Sequence, residues 1–189
     1  MTLRSILSAS VLTGLLSVPA FAQVPYVKIY SELNSDFYHC GQAGTFQELI
    51  VVLHNVDDVV SAIDFSVQYP PSMVWLFDLL PDARYVNNEV ITIGNSPTGV
   101  AVAWHSCCMQ DASQGLVVLR PVVLWRGNCN CAPIIVGGYG PLGKTQPSYI
   151  RASDFSEHAA VGGTTNYNPD FCDIAVEPTT WGRVKSLYR

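Results

Sequence analysis

Strict alternation of apolar and polar side chains is the feature that most limits what this chain can fold into. From Ala62 to Tyr69, Ile63, Phe65, Val67 and Tyr69 fall on one face and Ala62, Asp64, Ser66 and Gln68 on the other, the period of two of a half-buried strand. Less regular runs of the same kind occur at Tyr26 to Tyr30, Phe46 to His54, Val90 to Ile93, Val100 to His105, Leu116 to Leu119, Val122 to Trp125, Ile134 to Val136, Tyr149 to Ala152 and Ile174 to Val176. Turn-forming clusters separate them, among them Asn55-Val56-Asp57-Asp58, Pro70-Pro71-Ser72, Gly94-Asn95-Ser96-Pro97 and Gly137 to Gly143. No stretch before Thr179 keeps a helical period for three turns. Short strands with turn signals and no alternating helices predict an all-β sandwich or barrel. Proline removes a ladder donor, so Pro121 predicts an edge strand or a bend inside Leu116 to Trp125.

The start of the chain reads as an export leader over residues 1–22. Arg4 gives a positive end, Ile6 to Leu16 an apolar segment, and Ala20-Phe21-Ala22 before Gln23 a small-residue cleavage site. No cysteine follows the cleavage point to carry a lipid. No later run could span a bilayer, because the most apolar one holds Arg120 and Pro121 at its centre. The expected location is secreted, extracellular or at the cell surface, with the periplasm as the alternative. The remainder suits one domain over 23–177 and a tail over 178–189. Fifteen acidic residues against nine basic ones, Arg4 removed, leave a net charge of −6, which argues against nucleic acid as a partner. The asymmetry is local: residues 23–177 carry −9, whereas 178–189 carry +3 from Arg183, Lys185 and Arg189.

All six cysteines, Cys40, Cys107, Cys108, Cys129, Cys131 and Cys172, follow the leader. An even number in an exported chain predicts disulfides. Adjacent Cys107 and Cys108, and Cys129 with Cys131, would strain a bond closed on themselves. The two pairs are expected to crosslink each other, leaving Cys40 and Cys172 for a third bond. One such crosslink closes a loop of about 20 residues and is worth on the order of 3 kcal/mol by chain entropy.

The stretch beginning at Phe46, FQELIVVLHNVDDVVSAIDFSVQYPPSMVW, resembles the early strands of cohesin-like domains, and the apolar stretch Met73 to Leu80 follows as it does there. The resemblance covers about Tyr26 to Leu124. It implies a jelly-roll-like sandwich of about nine strands and a non-catalytic binding role. The cysteine clusters depart from cellulosomal cohesins, which puts dockerin binding in question.

Several constellations compete as carriers of chemistry. The segments around His39-Cys40, His105 to Cys108 and Cys129-Asn130-Cys131 offer soft metal ligands, but their spacing matches no zinc pattern and disulfides consume the thiols. Asn166, Asn168, Asp170 and Glu177 stand at positions 1, 3, 5 and 12 of a calcium-loop template, yet Phe171 occupies the position that needs glycine, so a polar loop is the favoured reading. No nucleophile elbow, zinc-protease motif or phosphate loop is present. The chain is therefore read as no enzyme and as needing no cofactor, with a metal-dependent enzyme the most distant alternative. Tyr139, Tyr149 and Tyr167, in or beside loops, are candidates for stacking on sugars, whereas Trp104 and Trp125 fall in strands and are assigned to the core.

In the tail, Thr179 or Thr180 would cap a short helix with Trp181, Val184, Leu187 and Tyr188 on one side and the three cations on the other. Two turns need a docking surface to persist. PTTWGRVKSLYR resembles the W-G-x-V-K-x-L-Y-R endings of secreted β-rich bacterial proteins, which implies a sorting or attachment tag; a lid on the sandwich is the competing role. The leading function is a secreted, disulfide-stapled module that binds a protein partner or itself, possible polymer subunits included. A carbohydrate-binding module with a polysaccharide ligand is the runner-up. Intact-mass measurement of the exported chain is expected to fall about 6 Da below the fully reduced mass, two hydrogens for each of three bonds. Thiol labelling without prior reduction should find no reactive cysteine.

Overall fold

The computed structural model describes residues 24–31, 41–81, 90–105, 110–111, 115–127 and 132–167. The expected strand Ile174 to Val176, the tail helix and all six cysteines lie outside them. The described chain is built of strands: β1 (Tyr26–Tyr30), β2 (Phe46–Glu48), β3 (Ile50–His54), β4 (Val59–Gln68), β5 (Met73–Leu79), β6 (Val90–Asn95), β7 (Gly99–Trp104), β8 (Gln110–Asp111), β9 (Leu116–Trp125), β10 (Ala132–Gly137), β11 (Ser148–Arg151), β12 (Glu157–Ala159), β13 (Val161–Gly162) and β14 (Thr164–Tyr167). A single turn of 3-10 helix covers Gly140–Leu142. There are more strand segments than the nine or so expected because several are only two or three residues long.

Two sheets face each other. One runs β13-β1-β3-β9-β2, with β5 also on β9; the other runs β12-β11-β4-β10-β14, with β8 and β7 on β4 and β6 on β7. Between them lie Val27, Ile29, Val51, Leu53, Ile63, Phe65, Val67, Val102, Leu119, Val123, Trp125, Ile134 and Tyr149, all buried. The alternation at Ile63, Phe65 and Val67 points inward as read from the sequence, and Trp104 and Trp125 are core residues.

Pro121 departs from its expected place. It sits in the middle of β9, a central strand with β2 and β3 on one edge and β5 on the other. The sheet tolerates it because the missing donor faces a break. Leu49 N–H donates to the Pro121 carbonyl at 2.8 Å, but Pro121 has no N–H to return to Leu49, where an antiparallel pair would exchange both bonds. The ladder is interrupted there, and the run Phe46 to His54 becomes β2 and β3.

The two sheets are tied together at Gly162 and Gly163. Gly163 N–H donates to the Val27 carbonyl of β1, and the Gly163 carbonyl accepts from Val136 of β10 in the other sheet. A Cβ on Gly162 would lie 2.0 Å from the Val136 carbonyl oxygen, so only glycine allows this approach. Gly162→Ala is expected to lower stability by about 1–3 kcal/mol, read as a drop in the denaturation midpoint with the transition still cooperative.

Candidate protein-docking face

The outer face of the larger sheet is laid out by register. Ile91 pairs with Ala103, Ala103 with Ala62, Ala62 with Ile150 and Ile150 with Glu157. Beside that row run Ile93, Ala101, Asp64, Ser148 and Ala159, paired in the same way. Directly opposed residues share a face, so the two rows form one surface across β6, β7, β4, β11 and β12. Three alanines make its floor flat. Ile91 and Ile93 stand at its edge, 58% and 67% exposed.

A polar cluster closes the opposite edge. Lys144 Nζ donates to Asp64, to Ser148 Oγ at 2.8 Å and to Glu157 Oε1 at 2.5 Å. Ser148 Oγ also lies 2.9 Å from Asp64 Oδ1 and 2.6 Å from Glu157 Oε1. Partial burial opposes the Lys144 charge, but hydrogen bonds and attraction from Asp64 and Glu157 outweigh it and raise its pKa. Hydrogen bonds from Lys144 and Ser148 lower that of Glu157. An ammonium held this firmly in its charged form is no general base for Ser148. The cluster borders a cleft of about 460 Å³ lined by Gly143 to Ser148, Glu157 and Ala159.

The smaller sheet presents a different outer surface. Tyr26 stacks on His54 with centroids 4.8 Å apart, and Tyr30 meets the same ring edge-on and shares a 2.8 Å hydrogen bond with it. Burial, aided by Lys28, holds the His54 imidazole below its usual pKa. These rings are occupied with one another rather than offered to a partner.

Of the sugar-stacking candidates, one is withdrawn from solvent. Tyr149 is 2% exposed and stacks on His158 at 5.6 Å, a correction to its assignment as an exposed ring: the start of β11 turns it into the core. Tyr139 is half-buried before the 3-10 turn, and Tyr167 ends β14. Asn166 pairs with Pro133 in the β10–β14 ladder, while Asn168, Asp170 and Glu177 of the calcium template lie outside the described residues. So do Cys40, Cys107, Cys108, Cys129, Cys131 and Cys172, and Trp181, Val184, Leu187 and Tyr188 of the tail. Among the described residues, no group of three His, Cys, Asp or Glu side chains could hold a metal ion, and no helix is long and apolar enough to cross a membrane. Ile91, Ile93 and Lys144 were not singled out from the sequence; the exposed pair became visible only once register placed the alanines beside it.

Cohesins are among the solved structures with the same fold. A cohesin module of a family 33 glycoside hydrolase from Clostridium perfringens superposes with a TM-score of 0.52 at 12% identity, over 76% of this chain and 95% of that one. A non-cellulosomal cohesin from the archaeon Archaeoglobus fulgidus gives 0.52 at 11% identity, over 78% and 93%. The sixth cohesin of Acetivibrio cellulolyticus scaffoldin B, solved in complex with a Cel5 dockerin, gives 0.51 at 13% identity, over 77% and 99%. At such identities the likeness is one of fold: a cohesin-like all-β sandwich. No protein-family model and no curated protein matches the chain.

The Lys144 cluster makes stability depend on pH in a defined direction. A carboxyl whose pKa is lowered by folding adds stability that is present above its ordinary value of 4.5 and is lost as pH falls through the lowered value. Lys144, raised by folding, adds stability that is complete below 10.5 and is lost as pH rises beyond it. Lys144→Met is therefore expected to lower Tm at pH 7, with the difference from the parent chain shrinking below pH 4.5 and again above 10.5. A difference that stayed constant across those limits would rule out the ion-pair account.

Proposed function

We propose that this chain is an exported, non-catalytic docking module that takes a protein partner on the outer face of the β6-β7-β4-β11-β12 sheet. One observation carries the reading: Ile91 and Ile93 stand exposed beside a floor of Ala62, Ala101 and Ala103 on paired strands. A flat apolar face on rigid strands is suited to a protein surface rather than a small ligand, which needs concavity. The polar cluster around Lys144 supplies a charged rim. The Acetivibrio cohesin was solved with a dockerin, which supports a dockerin-type module as the partner class. The leader at 1–22 supports delivery outside the cytoplasm, to the medium or the cell surface. The six cysteines fit the same compartment as crosslinks of the finished domain. The sugar-binding alternative loses support from the burial of Tyr149.

The test begins by capturing a partner from the extracellular fraction of the producing cells and purifying it for direct titration. Ile93→Asp places a charge where an apolar contact forms and is expected to weaken binding about 100-fold, near 3 kcal/mol. Phe77→Asp, on the smaller sheet, should bind as the parent chain does. Equal affinity for the parent chain and Ile93→Asp would remove this face as the site.

A further inference from the structure

The two longest strands that end a sheet treat their open edges differently. Among the described strands, β5 pairs only with β9 and β6 only with β7, so each turns a row of backbone N–H and C=O groups away from its sheet. β5 is protected twice over. It carries Asp78, and a register shift between Trp75 and Phe77 interrupts its regular pairing; a charge and a bulge are both devices that keep a foreign strand from adding to an edge. β6 has neither. Val90 to Asn95 pair with β7 residue by residue without a shift, and the strand holds no charged side chain and no proline. Ile91, Thr92 and Ile93 are all exposed. An edge that is straight, apolar and undefended is one that another strand can extend.

The strand that β6 fits is its own copy. In an antiparallel pair, directly opposed residues share a face, so a two-fold axis between two copies of β6 must pass through one residue that meets itself. Centred on Thr92, the pairing sets Ile91 against the partner's Ile93, Ile93 against the partner's Ile91, and Val90 against the partner's Gly94. Centred on Ile91, the overlap shrinks to Val90 to Thr92; centred on Ile93, it sets Ile91 against Asn95. Thr92 is therefore the centre that puts apolar on apolar with the strand most fully used. Either alternate set of outward-facing residues then forms about four to six backbone hydrogen bonds across the seam. The symmetry of Ile91-Thr92-Ile93 about Thr92 selects a second copy over an unrelated strand, for which such symmetry has no use. Charge agrees with this choice, since two bodies of net −6 meet at a strand that carries none of that charge, and no like charges stand directly opposed along it.

We infer that β6 pairs with β6 of a second copy about a two-fold axis at Thr92, joining the larger sheets of two copies into one. A contact of this kind uses the same patch on both copies and closes at a dimer. Four isoleucines line the seam on the outer side, with Ala101 and Ala103 of each copy behind them, so the two flat faces become one surface. The inference rests on the edge of β6 and holds whether or not that surface takes a further partner.

Sedimentation equilibrium of the purified chain tests it. The parent chain is expected to pass from monomer to dimer as concentration rises and to go no further. Thr92→Lys and Thr92→Glu each place like charges against one another at the axis, and each is expected to weaken the dimer at least tenfold. Mixed one to one, the two variants should dimerise as the parent does, because lysine then faces glutamate. Successive side chains of a strand point to opposite faces, so Thr92 lies away from Ile91 and Ile93, and neither variant alters the face on which Ile93→Asp is tested; the two readings can fail separately. Thr92 is exposed, so both variants should melt within a few degrees of the parent at concentrations too dilute for dimers. Hydrogen exchange of the parent chain needs no substitution, and is expected to slow at alternate β6 amides as the dimer forms. A parent chain that stays monomeric at millimolar concentration overturns the inference. So do dimers that both variants leave intact, a mixture no better than its components, or β6 amides that exchange equally fast in monomer and dimer.

Discussion

The larger sheet of this sandwich is organised around β4. Its N-terminal half carries β11 on one edge and β7 on the other, paired over Val60–Asp64 and Ala62–Phe65, and its last residues carry β10. The inward row of Ile63, Phe65 and Val67 is buried against the opposing sheet, while the outward positions Ala62 and Asp64 set the floor and rim of the docking face. Because side chains alternate, a slip of one residue would turn the isoleucine, phenylalanine and valine to water and bring Asp64 inside. One strand thus couples stability to the shape of the proposed docking face: the register that buries the core is the same register that aligns Ile91 and Ile93 with the alanines.

The smaller sheet solves a harder problem, a proline in a strand paired on both edges. Beside Pro121, Arg120 directs its guanidinium to Glu48, with Nε to Oε1 at 2.5 Å and Nη2 to Oε2 at 2.8 Å. A pair of this fork geometry adds little net stability when desolvation is counted, but it penalises any other alignment, because displacement would leave a buried charge without its counterpart. The ion pair therefore sits where the ladder is weakest, beside the Leu49 interruption, and holds β2 in register with β9. β5 adapts on the other edge by a register shift between Trp75 and Phe77.

The parts of this fold that could be read in the sequence are those decided by local periodicity. The β4 alternation, the β1, β7 and β10 runs and the burial of Trp104 and Trp125 all follow from which side chains recur every second residue. What periodicity does not carry is neighbourhood. Pro121 reads as an edge residue because proline usually lacks a tolerant partner; the tolerance comes from Leu49, more than seventy positions away. β5 was legible only as an apolar stretch, and β12 to β14, at two to four residues each, are too short to show alternation. Tyr149 was misplaced for a related reason: it lies one residue into β11, where proximity to a loop suggests exposure but the strand's phase directs the ring inward. The docking face was invisible for the same cause, since alanine is unremarkable in one strand and becomes a flat floor only when three of them align across two.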